Sequence, residues 1–117
     1  MESMAEMLVL AKSSHTYNGV TRKFILEIDT LEIEKTPKFD PAKDELPLSM
    51  QKAIKLATSS YKEKYGKEPR GIESVSLNHF PSWDHNDKWH FTIDIVGNPN
   101  IQVVVLFNEK VVLPREI

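Results

Sequence analysis

Cysteine is absent from this chain, which excludes disulfide frameworks, thiol nucleophiles and cysteine-ligated zinc together. Positive charge is not in excess either. A formal net charge of -2 draws neither nucleic acid nor an anionic bilayer, so neither partner is expected. There is no long apolar run for insertion into a membrane, and Met7 to Ala11 is too short for the apolar region of a signal peptide and follows no basic residue. On these grounds the protein is either cytoplasmic or has lost its export signal.

What remains is ordinary globular material. The 117 residues, 40% hydrophobic and 27% charged, suit one domain with one core over residues 1–117. Tyr17-Asn18-Gly19-Val20 marks a hairpin, because Asn-Gly favours the two-residue turn that matches strand twist. Pairing Tyr17 with Val20 sets Ser13 against Phe24, Ala11 against Leu26 and Val9 against Ile28, so most apolar side chains share a face. The parity change from Phe24, Leu26 and Ile28 to Leu31 and Ile33 predicts a bulge or bend near Asp29-Thr30. The hairpin unit thus spans 7–35, and residues 36–46, with Pro37, Pro41 and several charges, read as an exposed connection.

A helix is predicted after Leu48, with Ser49 as N-cap and Gly66 ending it in a left-handed turn. Met50, Ala53, Ile54, Ala57, Tyr61 and Tyr65 form its apolar stripe. Lysines 52, 55, 62, 64 and 67 with Arg70 outnumber Glu63 and Glu68 by four in this region. No aromatic platform or glycine-rich phosphate loop accompanies them, so they read as a solvated helix face rather than a nucleic-acid site. Four strand signals follow, at 72–79, 88–96, 101–107 and 111–113. Trp89, Phe91, Ile93 and Ile95 alternate with His90, Thr92 and Asp94, which places the aromatics under the helix. A two-residue loop at Asn108-Glu109 would set Val105 opposite Val112 and Val104 opposite Leu113, leaving both faces of the last hairpin apolar. That hairpin lies centrally between two layers, or its outer face meets the N-terminal hairpin or another subunit, and a homodimer would form through it or through the N-terminal strands. The fold class is α+β: one amphipathic helix on a curved antiparallel sheet, preceded by a β-hairpin.

Leu48-Ser49 opening a helix with Ala53-Ile54 and Ala57, then Val75, Leu77, Trp89 to Ile93, Val103 to Val105 and Val111-Val112, resembles the small PepSY-like domains of exported bacterial proteins. The likeness covers residues 46–117. It departs from the family pattern in the Asn108-Glu109 turn and in the added hairpin. The resemblance implies a periplasmic or secreted, non-enzymatic domain that binds or restrains a protein or peptide partner such as a peptidase. A cytoplasmic immunity-type partner protein is the alternative on localisation. The outline is similar to cystatin-like folds as well, which implies a rival role as small-ligand carrier or enzyme with a cavity near Tyr61, Tyr65 and Trp89.

Two groups of residues are candidates for a site. Ser76, His90 and Asp94 share the polar sheet face, yet residues 90 and 94 of one strand lie about 13 Å apart, too far for a histidine and its orienting carboxylate. No catalytic residue and no cofactor is therefore expected. The loop Phe80-Pro81-Ser82-Trp83-Asp84-His85-Asn86-Asp87 joins two large aromatics to polar turn formers. Asp84, His85, Asp87 and His90 fit no established metal-ligand spacing, and no metal is assigned. Trp83 with Phe80, Asp84 and His85 forms an exposed anchor for a protein partner, or Trp83 folds back to close the core.

Overall fold

The computed structural model describes residues 6–117; the first five lie outside it. Strands β1 (Met7–Tyr17) and β2 (Val20–Asp29) form the expected hairpin around Asn18 and Gly19, both at positive φ. A short helix α1 (Thr30–Glu34) follows, then the main helix α2 (Met50–Tyr65). A meander of β3 (Gly71–His79), β4 (Trp89–Val96), β5 (Ile101–Leu106) and β6 (Val111–Val112) comes next, and β7 (Arg115–Glu116) ends the chain. The strands make two antiparallel sheets, ordered β1-β2-β7 and β3-β4-β5-β6. The fold is α+β.

Helix α2 begins and ends where its sequence dictates. The Ser49 side chain accepts the Lys52 N–H at 3.1 Å, and Gly66 stands at φ 71° with its N–H on the Lys62 carbonyl. Ala53, Ala57 and Tyr61 are buried against β4 and β5, while Met50, expected in the stripe, is half exposed at the first turn. Phe91, Ile93, Ile95, Val103 and Val105 meet them from the sheet, with Phe39 and Phe107 closing one end. On the other side of the same sheet Val104 and Leu106 pack with Leu26 and Ile28 of β2, Ile33 of α1 and Phe80. The second apolar face of β5 is thus covered within the chain, by the hairpin.

Four local expectations are corrected. In β1 the register shifts between Val9 and Ala11, so Leu8, not Val9, faces Ile28. The extra residue turns Leu8 and Leu10 toward the second core and leaves Val9 exposed. At Asp29 the strand gives way to helix: the Asp29 carboxylate caps it by accepting the Leu31 N–H at 2.9 Å, and Ile33 is buried by helical rather than strand periodicity. The 36–46 connection is exposed only in part, because Phe39 and Thr36 are buried and Phe39 donates its N–H to the Asp87 carbonyl. The β5–β6 loop has three residues, Phe107 to Glu109, with Glu109 at φ 72°, so Val104 pairs with Val112 and Val105 with Val111. A type I turn closed by a left-handed residue is the next most common hairpin solution after the two-residue loop.

Tyr61 locks the helix to the end of the sheet. Its hydroxyl donates to the Pro99 carbonyl at 2.8 Å, and a Cβ added to Gly97 would collide with that same hydroxyl. Tyr61→Phe should cost about 1–2 kcal/mol by urea denaturation, and Gly97→Ala about 1–3 kcal/mol through overpacking. In the double variant the colliding oxygen is gone. Its loss should fall short of the two single losses combined by at least about 0.5 kcal/mol; strict additivity would show that the two residues do not touch.

Candidate functional site

The loop between β3 and β4 is built from its base upward. Phe80 donates its N–H to the Lys88 carbonyl at 3.0 Å, and its ring, fully buried, lies 4.4 Å from that of His90. Inside this closure Trp83–His85 makes one turn of 3-10 helix, with the His85 N–H on the Ser82 carbonyl and the Lys88 N–H on the His85 carbonyl. His85 is buried, its Nδ1 3.3 Å from the Ser82 hydroxyl and its Nε2 3.7 Å from the Glu34 carboxylate. The loop is tied to the segment after α1 by a bridge between Lys38 and Lys88 and by the Lys38–Asp87 ion pair at 3.5 Å. The Lys88 ammonium donates to the carbonyls of Glu34 and Thr36. Backbone hydrogen bonds close the loop on itself, and lysine side chains supply most of its ties to the segment after α1.

From that base Trp83 projects into solvent with 91% of its surface exposed. Trp83 does not fold back to close the core; Phe80 takes that place. The four residues of the predicted anchor therefore separate: Trp83 and Asp84 are exposed, Phe80 and His85 are buried supports. A shallow apolar recess lined by His79, Pro81, Ser82 and Asn86 adjoins the indole. On the far side of the loop a cleft of about 760 Å³ opens between α1 and the loop, lined by Glu34, Lys38, Asp84, His85, Asp87 and Lys88.

The polar sheet face is arranged differently from a catalytic constellation. Ser76 lies opposite Thr92, and His90 lies opposite Asn78. His90 Nδ1 bonds the Thr92 hydroxyl at 3.2 Å, while Asp94 accepts from Ser74 and from Gln102 at 3.0 Å. Ser76 receives the Asn78 amide. The Asn78 amide also donates to the Thr92 hydroxyl at 3.2 Å, so Ser76, Asn78, Thr92 and His90 form one chain of hydrogen bonds and Ser74, Asp94 and Gln102 another; neither joins Ser76, His90 and Asp94. A cleft of about 350 Å³ between this face and β1 is lined by Leu10, Ser76, Asn78, His90 and Thr92. Among the described residues no three histidine, aspartate or glutamate side chains gather to hold a metal ion, and no helix is long and apolar enough to cross a membrane. Near Tyr61, Tyr65 and Trp89, side chains occupy the space a ligand would need: the rings of Tyr61 and Tyr65 meet at 4.8 Å, tilted by 52°, and Trp89 meets Phe39 edge-on at 6.1 Å.

The outer edge of β3 escaped sequence reasoning. Its signal was present in Ser74-Val75-Ser76-Leu77-Asn78-His79, six residues without lysine, proline or carboxylate on a strand that, among the described residues, carries no neighbour on one side. Neither known family models, nor curated proteins, nor solved structures give a match to this chain.

His90 supplies a pH-dependent test of this geometry. Burial beneath Phe80 pushes its imidazole down to about 4 from an ordinary value of 6.5. Between those two values the unfolded chain holds a proton that the folded chain refuses, so stability is lost as the pH falls through that window. Wild type should lose up to about 1.4 kcal/mol per pH unit more than His90→Gln in urea midpoints taken between pH 6 and 5. Parallel profiles for the two proteins would place His90 in water.

Proposed function

We propose that this chain is a non-enzymatic protein- or peptide-binding module that uses Trp83 as its anchor. One observation carries the proposal: an indole 91% exposed stands on a loop whose backbone is pinned at both ends and whose other aromatic is fully buried. Large exposed aromatics are costly to display, and tryptophan is the residue that concentrates binding energy when it enters a pocket. A rigid display lowers the entropy lost on association, which favours recognition further. Asp84 beside the indole and the apolar recess of His79 and Pro81 give the contact a polar rim and an apolar centre.

The resemblance to PepSY-like domains supplies the finer form of this proposal. In it the module acts outside the cytoplasm, in the periplasm or secreted, and its partner is a peptidase that it restrains. Polar residues of the open sheet face, Ser76 and Asp94, then belong to solvated surface. Their hydroxyl and carboxylate are occupied by Asn78, Ser74 and Gln102, not aimed at one point.

Affinity capture from the envelope and cytosolic fractions of the source organism tests both parts. Trp83→Ala should reduce recovery of the specific partner by at least about 30-fold, the equivalent of about 2 kcal/mol. Stability should stay within about 0.5 kcal/mol of wild type, as expected for an exposed side chain. Undiminished capture by the variant would remove Trp83 from the interface.

A further inference from the structure

Hydrogen-bond parity fixes what the free side of β3 presents. The Phe80 N–H bonds the Lys88 carbonyl, and Phe80 continues the register in which Asn78 pairs with His90, Ser76 with Thr92 and Ser74 with Asp94. Bonded and non-bonded pairs alternate along an antiparallel ladder, so these even-numbered residues turn their backbone groups toward β4. The β5–β6 side agrees: the Leu106 N–H bonds the Lys110 carbonyl, which directs Val103 and Val105 of β5 to Ile93 and Phe91 of β4 and leaves His90, Thr92 and Asp94 for β3. Val75, Leu77 and His79 consequently point three N–H and three C=O groups outward, with no strand beside them among the described residues.

An apolar shelf runs beside this row. Helix α2 packs on β4, β5 and β6 and barely reaches β3. Its Lys52 flank leans the other way, through the ion pair with Glu109 at 2.7 Å and the Lys64 bond to the Pro114 carbonyl. By helical spacing Ile54 and Thr58 lie on the flank away from Lys52, half buried, and Val75 and Leu77 on the strand stay only half buried as well. The edge has one irregularity, the register shift at Glu73, and beyond it the six residues from Ser74 carry none of the devices that blunt an exposed strand. Trp83 stands just past the strand's end.

We infer that the outer edge of β3 accepts an extended peptide segment of a partner protein as a fifth strand of the β3-β4-β5-β6 sheet. Alternate residues of that segment are apolar and lie on Val75, Leu77 and Ile54; the intervening ones are polar and share the solvated face of Ser76 and Asn78. A second copy of this chain fits the edge less well. Two folded domains meeting along six residues touch over a strip of about 20 by 10 Å, far short of the roughly 800 Å² per partner that a stable interface uses. A flexible segment pairs with the same backbone, covers the shelf as well and reaches the indole. The inference rests on the peptide-binding reading and names the chemistry of its ligand.

The probe is a random-peptide display library panned on the full chain, with recovered peptides resynthesised. Amide hydrogen exchange should slow at Val75, Leu77 and His79 by at least about tenfold on peptide binding, while Ser74, Ser76 and Asn78 are protected already. N-methylation of alternate peptide residues, those whose N–H groups face β3, should weaken binding by about tenfold or more, and methylation of the intervening ones should not. Peptides that bind, lose affinity on Trp83→Ala and leave the three amides unprotected would overturn the edge inference alone. Protection of the three amides with no effect of Trp83→Ala would keep the edge and remove the Trp83 anchor. Failure to recover any peptide would overturn both. Protection that develops in the free chain as its concentration rises would assign the edge to a second copy.

Discussion

Strand β5 is the member on which both halves of the molecule depend. Its residues alternate between two apolar environments: Val103 and Val105 enter the core under α2, and Val104 and Leu106 enter the core under the hairpin. A strand buried on both faces cannot slip by one residue without exchanging its partners, but here either set is apolar, so hydrophobicity alone does not choose the register. The choice falls to the turn, where Glu109 in the left-handed region sets a three-residue loop, and to β4, whose polar residues must face away from α2. Once β5 is placed, β4 and β3 follow by pairing. The free edge and the Trp83 loop occupy the far margin of that same sheet.

The architecture divides labour between its two sides. Toward α2 the sheet is sealed by side chains of matched shape, including the Tyr61 contact with Gly97 and the perpendicular rings of Phe39, Phe91 and Phe107. Toward the hairpin, apolar contact is confined to the β5 end, and the sheet grows polar as it approaches β3. Phe80 and His90 mark the border, their rings in tilted contact, where a neutral imidazole replaces a carbon side chain at the margin of the second core. Stable layers on one side thus leave β3 with a backbone edge that no described strand pairs, half-covered apolar side chains and an adjoining indole. Those three features together support a surface for an extended ligand.

Much of this was legible in the residues. Asn18-Gly19, Ser49 and Gly66 specify backbone conformations that few other residues accept cheaply, and the structure uses each as expected. Alternation in β4 placed Phe91 and Ile93 against the helix and His90 and Asp94 opposite them. Where the sequence misled, two local solutions had nearly equal cost. Leu8, Val9 and Leu10 are all apolar, so the shift in β1 leaves no periodic trace. Leu31 and Ile33 fit a displaced strand as well as a helical turn, and only the Asp29 cap separates them. Phe39 sits among prolines and charges, and its burial reflects edge-on contacts with Trp89 and Phe107, which are remote in sequence. The site was legible in part: the loop stood out by composition, but the exchange of roles between Phe80 and Trp83 depends on where β1 and β2 leave room for one ring.

Native-state hydrogen exchange on Leu106→Ala addresses the role of β5 directly. Removing this side chain should cost about 2–5 kcal/mol, and the amides of β2 and of β4 should lose protection by the same free energy, because one strand holds both layers. Loss of protection confined to the β1–β2 hairpin, with β4 and α2 unchanged, would contradict that account and show the hairpin to be a separable attachment.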